Sequence, residues 1–157
     1  MISFIGEFEC KIDAKGRLMM PSGLRKQLDP AAQERFVLNR GFEKCLVLYP
    51  KNEWEGISAE VNKLNQYVKK NREFIRYFYR GASEMGLDGT GRLLLPKRML
   101  EYAGADKEVV LFAYSNRIEI WDKSTYEGLL TDEPDDFATL AEEVMGNAGN
   151  TEGNELS

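Results

Sequence analysis

The sequence contains no histidine and only two cysteines among its 157 residues. Histidine is the commonest general base and metal ligand of proteins, so its absence excludes Ser–His and Cys–His catalytic pairs. Cys10 and Cys45 form no Cys-x-x-Cys pair, and no carboxylates cluster at metal-ligand spacing. Residues 88–92 hold two glycines but lack the following Lys-Ser/Thr pair of a phosphate-binding loop. We therefore expect no enzyme, no metal, no cofactor and no small-molecule substrate.

Long apolar runs are also missing from the sequence. No stretch approaches the roughly 20 apolar residues that a membrane-spanning helix needs. No basic and apolar signal-peptide pattern opens the chain. We expect a cytoplasmic protein with no membrane partner, in which both cysteines are reduced and lie in apolar surroundings.

Positive charge is missing from one end of the chain. Residues 132–157 contain eight of the 26 acidic residues and no lysine or arginine. The other 131 residues therefore carry all 21 basic residues against the remaining 18 acidic ones, although the whole chain has a net charge of −5. Residues 10–28 combine Lys11, Lys15, Arg17, Arg25 and Lys26 with a single acidic residue, Asp13. Such local positive charge is what contact with phosphates requires.

A nine-residue segment occurs twice, 75 positions apart. Residues 13–21 read Asp-Ala-Lys-Gly-Arg-Leu-Met-Met-Pro, and residues 88–96 read Asp-Gly-Thr-Gly-Arg-Leu-Leu-Leu-Pro. Aspartate at the first position can accept backbone N–H bonds, and glycine at the fourth tolerates the positive φ of a bulged hairpin turn. Three apolar residues then predict a short buried strand, which the proline ends. The predicted turn residues are Asp13, Gly16, Asp88 and Gly91.

Each turn is followed by an arginine, Arg17 in the first copy and Arg92 in the second. This arginine can staple its own turn through the aspartate four residues back, or it can face a partner. The spacing alone leaves both roles open.

The rest of the chain predicts two copies of a ββαββ unit. The first repeat is expected at 1–55 and the second at 82–126, with linker helices at 56–81. An amphipathic C-terminal helix is expected at 127–146, with Asp135 or Asp136 as its cap. Its apolar residues are expected to be buried: Phe137, Leu140, Ala141 and Val144. The polar residues 147–157 are expected to be disordered. The linker helices also carry Trp54, Phe74, Phe78 and Tyr79 on two faces, which predicts exposed apolar surface and contacts between subunits.

The doubled Asp-x-x-x-Arg motif, followed each time by three apolar residues and proline, resembles the MraZ family. The similarity covers roughly residues 1–145 and includes Leu46–Pro50 with Trp54, and Ile118–Asp122. It implies an α+β fold of two tandem AbrB/SpoVT-type repeats with swapped hairpins, packed as a pseudo-twofold β-barrel. It also implies a nucleoid-associated transcriptional regulator that assembles as a ring of subunits. Such a regulator binds short direct repeats of double-stranded DNA upstream of the division and cell-wall gene cluster, which it typically represses.

A β-ribbon can enter the major groove of DNA, where arginine suits guanine or phosphate and lysine suits phosphate. We expect DNA contacts from Lys11, Lys15, Arg17, Arg25, Lys26, Arg92, Lys97 and Arg98. Because Lys11 and Lys15 correspond to Gly86 and Thr90, the first hairpin is expected to contribute more of the DNA affinity. Two alternatives stay open: a non-catalytic oligomeric scaffold that binds proteins, and an AbrB-type antitoxin.

Overall fold

The computed structural model describes residues 2–131 and 136–156, with side chains for residues 2–130 and 136–146. The chain divides into two compact units, residues 1–123 and 124–157. The first unit contains both copies of the repeated motif and all the strands of the described chain.

The elements of the first unit follow the predicted ββαββ order twice. The first half contains β1 (Phe4–Lys11), β2 (Arg17–Met19), the short helix α1 (Ser22–Arg25), a 3-10 turn (Pro30–Ala32), β3 (Arg35–Arg40) and β4 (Leu46–Pro50). Two linker helices follow, α2 (Lys51–Asn62) and α3 (Lys69–Tyr79). The second half contains β5 (Ser83–Gly86), β6 (Arg92–Leu94), the helix α4 (Lys97–Ala103), β7 (Glu108–Ser115) and β8 (Arg117–Asp122).

The strands of the two halves are interleaved in two antiparallel sheets. The large sheet has the order β1-β7-β8-β4-β3-β5, so β1 pairs with the second half and β5 pairs with the first. The small sheet pairs β2 with β6, the strands that follow the two turns. Both sheets are symmetric about a central pair, Val47 opposite Glu119 in the large sheet and Leu18 opposite Leu93 in the small one. The two halves are therefore related by an approximate twofold axis.

The hydrophobic core is shared by the two halves. Leu18 and Leu93 are fully buried beneath the small sheet. They join one cluster with buried strand residues of the large sheet, among them Phe36, Leu48, Leu111 and Ile120. A repeat of about 50 residues buries too little surface to be stable alone, and the common core supplies what each half lacks.

The linker helices differ from the sequence-based prediction in the burial of their aromatic side chains. Helix α2 begins at Lys51, directly after Pro50. The rings of Trp54 and Phe78 stack with their centroids 5.5 Å apart, and the ring of Tyr79 lies nearly perpendicular to that of Trp54. Trp54, Phe78 and Tyr79 are thus half-buried, so the prediction that they form exposed surface was wrong, because α3 returns its aromatic face onto α2. Phe74 does remain 41% exposed.

The second unit is helical. Helix α5 spans Lys123–Thr131 and α6 spans Phe137–Leu156. The disorder that the sequence indicates for residues 147–157 stays a prediction. The carboxylate of Asp136 accepts a hydrogen bond from the backbone N–H of Thr139, as expected of a helix cap. The other predicted cap, Asp135, and the last residue, Ser157, lie outside the described residues.

The apolar side of α6 is exposed, although the sequence predicted that it would be buried. Phe137 is 75% exposed and Val144 is 58% exposed. Backbone hydrogen bonds in a helix are local, so a helix can form without burial of its apolar side.

Candidate nucleic-acid interface

The first hairpin turn is held by the carboxylate of Asp13. Its Oδ1 accepts hydrogen bonds from the backbone N–H groups of Lys15 and Arg17, each at 2.9 Å. Its Oδ2 accepts from the Nε of Arg17 at 2.8 Å. The predicted role of Asp13 in accepting backbone N–H bonds is confirmed, and Arg17 does staple its own turn.

The second turn repeats this arrangement at every position. Asp88 Oδ1 accepts from the backbone N–H groups of Thr90 and Arg92 at 2.9 Å, and its Oδ2 accepts from the Nε of Arg92 at 2.9 Å. The hydroxyl of Thr90 donates a further bond to Oδ1. In both copies the terminal amino groups of the arginine donate to no other described residue, so they remain available to a partner.

The backbone N–H bonds also shift the acidity of the two aspartates. The bond from the N–H of Arg17 is the largest cause that holds the pKa of Asp13 below its usual value of 3.8. The bond from the N–H of Arg92 acts in the same way on Asp88, whose pKa is lowered further. Both carboxylates are therefore ionised at neutral pH, and each neutralises part of the charge of its arginine.

The small sheet joins the two turns into one two-stranded ribbon. Arg17 lies opposite Leu94, and Met19 lies opposite Arg92. The pairing continues beyond both strands, because the backbone N–H of Met20 donates to Gly91 O at 3.0 Å and that of Leu95 donates to Gly16 O at 2.9 Å. The two turns consequently lie at opposite ends of the ribbon.

The two faces of this ribbon differ in character. Side chains alternate between the faces of a strand, and the fully buried Leu18 and Leu93 define the inner face. The outer face, which we call the ribbon face, therefore carries the alternating neighbours of these leucines. It consists of Arg17, Met19, Arg92 and Leu94, with Met19 52% exposed and Leu94 58% exposed. Sequence reasoning missed the two apolar members, although the period of two in Arg-Leu-Met and Arg-Leu-Leu could have indicated them.

Two predicted contact residues, Arg25 and Lys97, each lie at the turn of the opposite half. Arg25, from the first half, lies at the second turn: its Nη1 is 2.6 Å from the position that a Cβ on Gly91 would occupy. The same guanidinium pairs with Glu34 through two bonds of 2.8 and 3.1 Å. Lys97, from the second half, lines a cavity of about 580 Å³ at the first turn together with Lys11 and Asp13. Each turn thus receives a basic residue from the opposite half.

The remaining predicted contact residues lie on the surface of the first unit. Lys15 is exposed in the first turn, and Lys26 is exposed at the end of α1. Arg98 is exposed on α4 and lines a smaller cavity of about 190 Å³ with Arg40 and Arg80.

A second surface of the first unit is aromatic. A cavity of about 560 Å³ is lined by the rings of Phe42, Phe74, Tyr77, Tyr102 and Tyr114, with two arginines at its wall. Phe42 is 87% exposed and Tyr77 is 65% exposed. We call this surface the aromatic groove.

The cysteines lack the features of reactive thiols. Burial raises the pKa of Cys10 to about 11 and that of Cys45 to about 12. Cys45 is buried, as the sequence predicted, but Cys10 is only half-buried. Over the described ranges, no group of three metal-ligating side chains occurs. Within that same part of the chain, no helix has the length and apolar character needed to cross a membrane.

These features define a class of protein: an α+β protein of two interleaved repeats that presents an arginine-bearing, two-stranded ribbon. A family model described as MraZ protein, with the addition "antitoxin-like", matches residues 3–77 and again residues 78–147. The chain is 53% identical to "Transcriptional regulator MraZ" of Christiangramia forsetii over 94% of this chain and 96% of that protein. It is 51% identical to the protein of the same name from Flavobacterium psychrophilum, over 97% and 98% of the two chains. A third relative of that name, from Cytophaga hutchinsonii, is 39% identical over 90% of this chain.

The chain belongs to the MraZ family of transcriptional regulators. The two tandem matches confirm the repeat that the sequence predicted, and they favour this family over a single-copy AbrB-type antitoxin.

Proposed function

We propose that this chain is a sequence-specific DNA-binding regulator that represses its own division and cell-wall gene cluster. The ribbon face is the observation that carries the proposal. A two-stranded ribbon fits the major groove, which is about 12 Å wide. Its two arginines keep their terminal amino groups free of described partners, and arginine is the side chain best suited to guanine or phosphate.

Basic residues around the ribbon supply the contacts to the DNA backbone. Lys11, Lys15 and Lys97 lie at the first turn, and Arg25 lies at the second. Lys26 and Arg98 extend the basic surface along α1 and α4. Each turn lies beside a basic residue that comes from the opposite half. We therefore propose that both hairpins bind DNA. This replaces the expectation that the first hairpin dominates.

Two further proposals follow from the family resemblance. The interleaved halves close into a pseudo-twofold barrel of the AbrB type, and subunits assemble into a ring whose ribbons meet successive direct repeats of the operator. A regulator of this kind acts in the cytoplasm, where it is associated with the nucleoid. Light scattering at micromolar concentration is expected to report several subunits, and a monomer would contradict the ring.

The experiment that tests DNA binding is an unbiased selection of genomic fragments with purified protein. Fluorescence anisotropy on a selected fragment then measures affinity as a function of salt. Each lost phosphate contact reduces the slope of log K against log salt by about 1, so Lys15→Ala is expected to flatten the slope. Arg17→Ala and Arg92→Ala are each expected to weaken binding by about 1–3 kcal/mol.

Lys63→Ala provides the matched control. Lys63 is an exposed lysine of the segment between α2 and α3, and it pairs with Glu60 rather than with the ribbon. This variant is expected to bind DNA with the affinity and salt slope of the original protein. A selection that enriches no fragment, or an affinity that does not change with salt, would overturn the proposed function.

The second candidate function is an oligomeric scaffold that binds proteins. The observation in its favour is the aromatic groove, whose exposed Phe42 and Tyr77 are unusual for a surface in contact with water. A protein complex held by this groove would persist at salt concentrations that release DNA, so the salt series separates the two functions.

A further inference from the structure

The ribbon face carries two large apolar side chains that have no part in the proposed contacts of arginine and lysine with DNA. Met19 and Leu94 are each more than half exposed, at 52% and 58%. Their neighbours Leu18 and Leu93 already provide the contacts to the core and are fully buried. The exposed pair therefore does not serve the packing of the ribbon onto the sheet beneath it.

The two apolar side chains lie at the ends of the ribbon, over the two turns. Leu94 Cδ1 is 3.9 Å from the position that a Cβ on Gly16 would occupy. Met19 Sδ is 3.8 Å from the corresponding position on Gly91. Each apolar side chain thus reaches the turn of the opposite half.

The register combines each apolar side chain with one arginine. Leu94 lies directly opposite Arg17, and Met19 lies directly opposite Arg92. Each end of the ribbon presents one arginine and one apolar group, and the two groups come from different halves of the chain. The approximate twofold axis through Leu18 and Leu93 relates the two ends.

The major groove offers a chemical complement to this pair of groups. Guanine presents the acceptors N7 and O6 to arginine, and thymine presents its C5-methyl group to an apolar side chain. An acidic protein segment would satisfy the arginines, but it would leave Met19 and Leu94 against polar groups. DNA therefore accounts for all four members of the ribbon face.

We propose that Met19 and Leu94 determine sequence specificity by contacting thymine C5-methyl groups beside the bases or phosphates that Arg92 and Arg17 bind. This inference rests on the proposed DNA-binding function and adds the base that the apolar residues recognise. Because each end of the ribbon combines both halves, neither repeat contains a complete reading site.

The test compares thymine with deoxyuridine in a DNA fragment obtained from the selection. This exchange removes the methyl group and leaves every hydrogen-bonding group of the base unchanged. Burial of one methyl group corresponds to about a fourfold change in affinity, so replacement of both contacted thymines is expected to weaken binding about 15-fold. Replacing the thymines one at a time identifies the contacted positions.

The double variant Met19→Ala, Leu94→Ala assigns the effect to the ribbon face. It is expected to bind the thymine fragment about as weakly as the deoxyuridine fragment, with an unchanged salt slope. Ile5→Ala is the matched control, because Ile5 is 77% exposed and lies at the end of β1 remote from the first turn. This control is expected to keep the full preference for thymine.

The outcomes separate this inference from the proposed function. If the original protein selects DNA but binds thymine and deoxyuridine fragments equally, the inference is overturned and the DNA-binding function stands. The inference is also overturned if the double variant keeps the full preference for thymine, or if it loses affinity equally for both fragments. The thymine comparison on the original protein requires no substitution, so it remains decisive even if the double variant does not fold.

Discussion

At the scale of single residues, Gly16 and Gly91 decide whether the two turns can form. Their φ angles are +84° and +85°, a region where a side chain costs about 1–2 kcal/mol. A Cβ on Gly16 would also lie 3.0 Å from the backbone oxygen of Leu95, whereas one on Gly91 would meet the flexible end of Arg25. Gly16→Ala is therefore expected to lower the free energy of unfolding by about 2 kcal/mol, and Gly91→Ala by about 1 kcal/mol.

Urea unfolding monitored by circular dichroism measures both effects. Gly89→Ala is the matched control in the second turn, because no atom lies within 4 Å of a Cβ there. It is expected to leave the unfolding midpoint nearly unchanged. Equal losses for all three alanine variants would show that the positive φ angles do not limit the turns.

Asp13 and Asp88 are expected to make the turns sensitive to acid. Their pKa values in the folded protein lie below the usual 3.8, so their contribution to stability is complete well above that pH. As the pH falls below about 4, the unfolded chain takes up protons first, and the contribution is lost on the way to the lowered pKa of the folded state. The melting temperature of the original protein should therefore fall steeply in this range.

The variant Asp13→Asn, Asp88→Asn tests this origin of the acid sensitivity. Asparagine keeps an oxygen that accepts the backbone N–H bonds but carries no charge to titrate. The double variant is expected to melt at a lower temperature near neutral pH and to show a flatter dependence on pH below about 4. An undiminished slope in the double variant would assign the acid sensitivity to other carboxylates.

At the scale of elements, the aromatic stack between α2 and α3 holds the linker helices together. The ring of Phe78 stacks on that of Trp54 and lies nearly perpendicular to that of Tyr79, with centroid distances of 5.5 and 5.2 Å. Phe78→Ala is expected to cost about 2 kcal/mol of unfolding free energy, since the side chain is half-buried and aromatic pairs add to the burial term. Tryptophan fluorescence during urea unfolding measures the loss.

Tyr67→Ala is the control for this prediction. Tyr67 lies between the same two helices but is 95% exposed, so its removal is expected to change stability by less than about 0.5 kcal/mol. Equal effects of the two substitutions would show that the stack contributes nothing beyond exposed aromatic surface.

The comparison between prediction and structure is most informative at this scale. The order of the strands and helices in the first unit was predictable, because turn residues and apolar alternation are local signals. Which strands and helices pack against one another was not predictable from these local signals. The sequence grouped Arg25 with the first turn, since it follows that turn closely, but the interleaved strands bring it to the second turn. The exposed face of α6 shows the same limit, because an apolar stripe does not specify what covers it.

At the scale of the whole molecule, interleaving makes the two halves dependent on each other. Strand β1 pairs along its whole length with β7, and β5 pairs with β3. Fragments 1–80 and 81–157 are therefore expected not to fold as separate monomers, but to fold together when they are co-expressed. Co-purification followed by circular dichroism and light scattering measures the result.

A stable, folded monomer of either fragment would contradict this prediction. A fragment that pairs with a second copy of itself would agree with it, because the approximate twofold symmetry lets each half replace the other. The undivided chain, measured under the same conditions, supplies the reference for the folded state.

The sequence by itself determined the order of the strands and helices in the first unit, the two turns and the membership of the chain in its family. These properties depend on local chemistry, because an aspartate, a glycine and an arginine at fixed spacing form the same turn wherever they occur. The tertiary structure alone decided which residues meet at each turn. It also decided that Met19 and Leu94 share an exposed face with two arginines, and that Trp54, Phe78 and Tyr79 stack upon one another. Contacts between residues that are distant in the sequence depend on the pairing of whole strands and helices. The approximate twofold symmetry of the repeats also makes each local pattern compatible with more than one partner.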